Sequence, residues 1–291
     1  MTKRLDHTSD PLPQPLRRYL DGPVPRATGY LVTIYGDAVA PRGGTVSMRS
    51  LIALGRQAGL SETLVRTAVS RLVGAERLEG TRVGRVSHYR LTPGAEAEFA
   101  GADRLIYAPP PQPLGWLMAF GERDLPAPWA RIGGTVWAAP DRAEVERPAG
   151  LVMSAAPVSQ GQGLRDFGAA HWSLDEADAA YRAFAEAWSG VTEALAEAPA
   201  EGQGALLLRL RLVHDYRQAA LADPRLPEGA LPEGWQGAAA RRLFVSAYLA
   251  LCPEADRCIG ARLEDRHGLL PPETEATRAR LGGLRREAAL P

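Results

Sequence analysis

Five side chains between positions 63 and 71 carry the first chemistry this sequence offers: Thr63, Arg66, Thr67, Ser70 and Arg71. All five donate hydrogen bonds and none is acidic, so together they suit phosphate oxygens and the edges of bases. Their spacing of three and four residues puts them on one side of a helix. Arginine has the shape for two-point contact with guanine or phosphate, which makes Arg66 and Arg71 the strongest candidate contacts. Thr63, Thr67 and Ser70 are placed to fix register on a backbone. Downstream, Arg82 and Arg85 would lay charge along phosphates or into a minor groove. The plainer reading makes all seven solvated surface side chains.

A helix with Ser61 as its N-cap holds the first five. Leu64, Val65, Ala68, Val69, Leu72 and Val73 recur at helical period and form its apolar face. Glu62 is the one acid, in the first turn, where the helix dipole favours it. Leu78–Val83 and Val86–Leu91 then read as two strands. Gly84-Arg85 joins them, glycine first, as a type II′ turn does. Arg77, Arg82, Arg85 and Arg90 stud this hairpin. A helix presenting Arg, Thr and Ser, followed by an arginine-tipped hairpin, is the layout of a winged helix-turn-helix, whose helix enters the major groove. Upstream, Ser47 caps a short helix with Leu51, Ile52 and Leu54 inward, and Ala58-Gly59-Leu60 makes the turn. Thr28 to Val39 is open between a strand and the first helix of a three-helix unit. Pro41-Arg42-Gly43-Gly44 is a break.

The 291 residues hold 34 Lys+Arg against 34 Asp+Glu, so net charge says nothing about partners. Its distribution does. From Arg26 to Thr92 ten bases face four acids, while residues 93–291 carry an excess of seven negative charges. A basic segment on an acidic body fits a nucleic-acid module attached to something else. Lys3 is the only lysine; with the abundant Ala, Gly and Pro this points to a GC-rich genome rather than to function. Cys252 and Cys258 match no common metal or redox spacing. No apolar run reaches a membrane-spanning length and the N-terminus has no apolar signal core, so the cytoplasm is the expected compartment.

The fold class read from these patterns is multi-domain α+β. Residues 1–25, Pro-rich and polar, form a flexible arm, and 26–107 the DNA-binding domain, with a short helix at Ala95–Phe99. Residues 108–165, opened by the connector Ala108–Pro113, form a small α+β domain with strands at Gly115–Phe120, Gly134–Ala138 and Gly150–Ala155. Residues 166–291 form a helical domain. Its helices are Leu174–Glu197, with Tyr181, Phe184, Ala185 and Trp188 on one face, then Ala205–Leu221, Gly237–Leu251 and Glu273–Ala288.

The run LVTIYGDAVAPRGGTVSMRSLIAL, followed by SETLVRTAVSRLV and VGRVSHYRLT, resembles the N-terminal domain of the PaaX family, repressors of phenylacetic acid catabolism and its relatives. The run LVHDYRQAALADPRLPEGALPEGWQGAAARRLF resembles the family's helical C-terminal domain. The two cover about half of the chain, in the family's order. The resemblance implies three parts: a winged helix, a central ferredoxin-like domain and a helical domain for effector binding and dimerisation. It implies dimers that bind operator DNA and release it when an aryl-coenzyme A thioester binds, phenylacetyl-coenzyme A for the founding members. In the middle only GTVWAAP matches well. Trp116 to Val158 is short for a full ferredoxin-like unit, so a degenerate one is expected.

A coenzyme A thioester needs cations for its phosphates and an apolar slot for its acyl group. Arg209, Arg211, His214, Tyr216 and Arg217 cluster on one helix, with Asp215 among them, and Arg241 and Arg242 start the next; all but Asp215 and Arg242 are taken as the candidate effector contacts. The alternative is that the LVHDYR motif pins helices through a buried hydrogen-bond network. Trp172, Trp188 and Trp235 are read as core. Catalysis is not expected: His88, His171, His214 and His267 are scattered, and neither a Gly-x-Ser-x-Gly elbow nor a His-Glu-x-x-His motif is present. The SQGQG run at Ser159–Gly163 lacks the lysine of a phosphate loop. No cofactor, metal or membrane partner is expected. Two other readings stand beside the repressor: an RNA-binding or CRISPR-type adaptor, and a coenzyme A thioester-binding protein without a regulatory role on DNA. Preference for duplex DNA over RNA separates the first of these.

Overall fold

The computed structural model describes residues 12–113, 115–159 and 161–290. Positions 1–11 of the expected arm, and Gln160 of the SQGQG run, lie outside the described residues. Two residues of the rest of the arm, Leu16 and Tyr19, are buried. Leu16 lies in helix α1, Gln14–Arg17, and Tyr19 stacks on Trp188 with centroids 5.3 Å apart.

Thr28–Val39 is helical. Helix α2, Ala27–Ile34, runs into a π-helical turn, Tyr35–Val39. Tyr30, Leu31 and Ile34 are buried at helical spacing, and that burial outweighs the weak helix preference of Val and Thr. Strand β1, Thr45–Ser47, leads into α3, Met48–Gln57, and then α4, Glu62–Gly74. Both helices begin at the expected caps. Ser47 Oγ accepts from the Ser50 N–H at 3.1 Å and Ser61 Oγ from the Leu64 N–H at 3.2 Å, each satisfying an otherwise orphaned donor. Strands β2, Leu78–Val83, and β3, Val86–Leu91, occupy the residues expected of them. Gly84 has φ +60° and Arg85 has no positive φ, which fits the type II′ turn. The sheet order is β1-β3-β2. Helix α5, Pro93–Tyr107, runs well past the expected Phe99 because Ile106 and Tyr107 bury at its far end.

A second, four-stranded antiparallel sheet follows. Its strands are β4 (Trp116–Phe120), β5 (Ala130–Gly133), β6 (Val136–Pro140) and β7 (Val152–Ala155), in the order β5-β6-β4-β7. Strand β5 is not among the expected strands; its alternation runs over only four residues, ARIG, too few to mark a strand by themselves. A ferredoxin-like βαββαβ unit would carry a helix between β4 and β5 and another between β6 and β7. Residues 121–129 and 141–151 hold neither; GERDLPAPW and DRAEVERPAGL have no apolar helical repeat. One face of the sheet packs Leu117, Trp129 and Trp137 together. The other packs Trp116 and Ala138 with Leu174, Leu226 and Ala230.

The remaining helices are α6 (Gln162–His171), α7 (Leu174–Ala187), α8 (Val191–Glu197), α9 (Gly202–Ala222), α10 (Gly237–Arg262) and α11 (Glu275–Ala288). The single helix expected over Leu174–Glu197 is two, broken by a turn at 188–190, where Trp188 is nevertheless buried. Helix α10 continues through Pro253 instead of ending at Leu251, since Ala255 and Ile259 beyond the proline are fully buried.

Contacts divide the chain into two compact units. One comprises residues up to Ala108, Ala185–Arg217 and those from Arg241 on; the other comprises Pro109–Phe184 and Gln218–Ala240. The expected boundary at 165/166 is therefore not where the division falls: most of the C-terminal helical region belongs with the N-terminal elements. A buried charge cluster inside the first unit explains this. Asp37 Oδ1 accepts from Tyr107 Oη at 2.9 Å and Tyr248 Oη at 2.8 Å, and Asp37 Oδ2 accepts from Arg209 Nε at 2.9 Å. Arg209 and Arg42 both donate to Asp256 at 2.6 Å, and Arg280 bridges Asp37 and Asp103. Burial alone would raise the Asp37 pKa. Arg209, Arg280 and the two tyrosine hydroxyls outweigh it and hold the carboxyl below the usual range.

Candidate nucleic-acid interface

Helices α3 and α4 pack closely because Gly55 leaves room. A Cβ there would stand 2.4 Å from Val65 Cγ2. Val65, Ala68, Val69 and Leu72 form the buried side of α4. Leu64 and Val73, expected to be inward, are instead 51% and 38% exposed. They lie at the two flanks of the apolar arc, about 90° from its centre at 100° per residue.

The opposite side is as expected. Thr63, Arg66, Thr67, Ser70 and Arg71 are all exposed, as are Arg82 and Arg85 at the hairpin tip. The structure sorts them further. Arg66 donates to Glu62 Oε1 through Nε at 3.0 Å and Nη2 at 2.8 Å. Arg56, on α3, donates to Glu62 Oε2 at 2.6 Å. Hydrogen bonds from Arg66, with its charge and that of Arg56, hold the Glu62 carboxyl below the usual range. Arg82 Nε donates to the Gly84 carbonyl at 3.2 Å, which curls it over the turn. The other two hairpin arginines are paired with acids, Arg77 with Glu98 and Arg90 with Glu79.

A groove of about 740 Å³ opens beside α3, α4 and the hairpin tip, with Arg49, Arg56, Glu62, Arg66, Arg85 and Gln203 among its lining. Four arginines and one carboxylate give it a positive field. Arg49 and Arg56 were not singled out as contacts from the sequence. Their signal was present: seven residues apart on one helix, they share a face.

The six candidate effector contacts are not gathered into one cavity. Arg209 belongs to the Asp37 cluster. Arg211 donates to Asp215 at 2.9 Å and to the Pro23 carbonyl at 3.1 Å, and it borders a cavity of about 230 Å³ with Leu20, Tyr30 and Leu207. His214 Nδ1 shares a hydrogen bond with Thr33 Oγ1 at 3.0 Å, and burial pushes its pKa down to about 4. Tyr216 is buried and stacked on Phe244 at 4.0 Å. Arg217 donates to the Gly29 carbonyl at 3.2 Å. Arg241 holds Glu287 and the carbonyls of Ile106 and Tyr107. These are the contacts of a helix-pinning network. No helix among the described residues is long and apolar enough to cross a membrane.

Residues 26–95 match the family model described as PaaX-like protein, and residues 172–261 that described as PaaX-like protein C-terminal domain. The Transcriptional repressor PaaX of Escherichia coli (strain K12) is 30% identical over 290 residues, covering 88% of this chain and 90% of that protein. Among solved structures, Uncharacterized protein Rv0674 from Mycobacterium tuberculosis is 20% identical, with a TM-score of 0.46, over 80% of this chain and 98% of that one.

Proposed function

Because the chain belongs to the PaaX family, whose similar Escherichia coli protein is a transcriptional repressor, we propose that it is a DNA-binding transcriptional repressor. The observation that carries this reading is the exposed arginine set on α4 and the hairpin tip, standing beside a groove with four arginines. In this reading α3 and α4 are a helix-turn-helix, β2 and β3 its wing, and α4 the helix that enters the major groove. Arg66 and Arg71 contact bases or phosphates, Thr63, Thr67 and Ser70 set register, and Arg82 and Arg85 follow the backbone or the minor groove.

The controlled genes are those of a phenylacetate-type aromatic-acid catabolic operon, and the protein acts as a homodimer on paired half-sites. An aryl-coenzyme A thioester releases it by binding the DNA-free conformation more tightly, and only by as much as its affinities for the two states differ. Effector contact by Arg209, Arg211, His214, Tyr216, Arg217 or Arg241 requires the thioester to displace the internal bonds these side chains make. Arg211 borders a cavity of about 230 Å³, and a ligand there would compete with Asp215 for it.

Fluorescence anisotropy with duplex DNA from the chain's own upstream intergenic region, with and without phenylacetyl-coenzyme A, tests the reading. Tight binding relieved by the thioester is expected. Tight binding without relief would remove the effector and keep the repressor. Binding no tighter than to scrambled duplex, or preference for RNA, would remove the repressor.

A further inference from the structure

We propose that Glu62 is a specificity-determining residue of the α4 helix: it suppresses binding to phosphates alone and is tolerated only where a base edge offers it a hydrogen-bond donor. The inference rests on the DNA reading above and concerns what that surface discriminates.

Glu62 is the only acid between Ser61 and Ala75. It stands next to the N-cap, at the end of the helix whose residues meet base edges when such a helix docks. One oxygen accepts from Arg66 and the other from Arg56, so a single carboxylate occupies two of the four groove arginines. Fold stability does not account for it. The side chains of Arg56 and Arg66 are 61% and 56% exposed and that of Glu62 is 40% exposed, and ion pairs this open to solvent contribute little.

On random duplex, where affinity comes from phosphate neutralisation, the carboxylate repels the backbone and keeps Arg56 and Arg66 from it. In the major groove two groups can satisfy it, the amino group of cytosine and that of adenine, and cytosine is the usual partner of Glu. Where cytosine meets the first turn of α4, Glu62 accepts from its N4 amino group and turns Arg56 and Arg66 to neighbouring phosphates. Elsewhere the carboxylate stays between its two arginines and their charge is lost to the DNA. Glu62 thus widens the gap between right and wrong sequences by weakening the wrong ones.

The test starts from a random duplex library, from which the wild-type protein selects its preferred sequences. Wild type, Glu62→Gln and Arg56→Gln are then titrated against a selected duplex and a scrambled duplex of equal length over a range of salt. Glu62→Gln is expected to bind the scrambled duplex about tenfold tighter and the selected duplex little or no tighter. Its salt slope on scrambled DNA should steepen by up to about 2, as two freed arginines reach phosphates. Arg56→Gln, which removes a cation and keeps the acid, should weaken the selected duplex, where Arg56 reaches a phosphate, more than the scrambled duplex, where Glu62 already holds that charge. Equal change on both duplexes for Glu62→Gln, or none, would overturn the inference and leave the repressor standing. A library from which the wild type enriches nothing would overturn the DNA reading and this inference with it. Thermal midpoints of the three proteins should agree; a lowered midpoint for Glu62→Gln would mark the acid as structural and sink the proposal.

Discussion

At the scale of single residues, the arginines fall into two kinds. Arg71, Arg82 and Arg85 are exposed on α4 and the hairpin, whereas Arg42, Arg209, Arg241 and Arg280 have almost no solvent exposure and hold carboxylates. Replacing one of the first kind should change binding and not folding. Arg71→Ala is expected to weaken the preferred duplex by about 1–3 kcal/mol with an unchanged thermal midpoint, and Arg85→Ala to lower the salt slope by about 1 on every duplex. Anisotropy titrations over salt measure both. An unchanged slope for Arg85→Ala would take that side chain off the phosphates. Replacing a residue of the second kind should do the reverse. Asp37→Asn removes the anion shared by Arg209 and Arg280 and leaves two buried cations short of a partner, at a cost of about 3–5 kcal/mol, read as a fall in the urea midpoint. The Asp37 pKa is lowered on folding, so its stabilisation is present above the ordinary carboxylate range and is lost as pH falls through the folded value.

At the scale of elements, two junctions decide whether α4 is presented correctly. The first is its packing on α3 at Gly55. Gly55→Ala forces a methyl against Val65 and is expected to cost about 1–3 kcal/mol. DNA affinity should drop with it, because the turn and the spacing of Arg56 from Glu62 depend on that contact; a stable variant with full affinity would refute the coupling. The second is the attachment of α9 to α2 through His214 and Thr33. Around this imidazole stand Asp215, Arg211 and Arg217. Burial lowers the His214 pKa from 6.5 to about 4. Below pH 6.5 the unfolded chain therefore takes up a proton that the folded chain refuses, and stability falls as pH drops from 6.5 towards 4. Urea midpoints measured across that window should decline in the wild type and decline less in His214→Gln. Parallel curves would mean that His214 titrates alike in both states. The hairpin needs no such junction to be recognised, since two short runs around a glycine-first turn are properties of a dozen consecutive residues.

At the scale of the molecule, a chain of zero formal net charge carries its positive charge early and its negative charge late. Its DNA affinity should consequently fall steeply with salt despite overall neutrality, because binding follows the local basic surface and not the total. Family membership, the caps at Ser47 and Ser61, the ends of β2 and β3 and the exposed face of α4 were all legible in the sequence by itself. The caps, the strands and the exposed face are each written in a short window with its own period or turn chemistry, whereas the family is legible as a resemblance across about half of the chain. Tertiary structure alone decided which arginines remain available. The basic residues of α9 look like a ligand site in one dimension, yet Arg209 meets Asp37 from 172 positions away and Asp256 from 47, and Arg280 meets Asp103 from 177. Such pairings leave no local pattern, since a guanidinium seeks whatever carboxylate the packed chain brings within reach. The same holds for Glu62, an ordinary first-turn acid in the sequence, whose capture of Arg56 depends on α3 folding back across Gly59 to bring the two together.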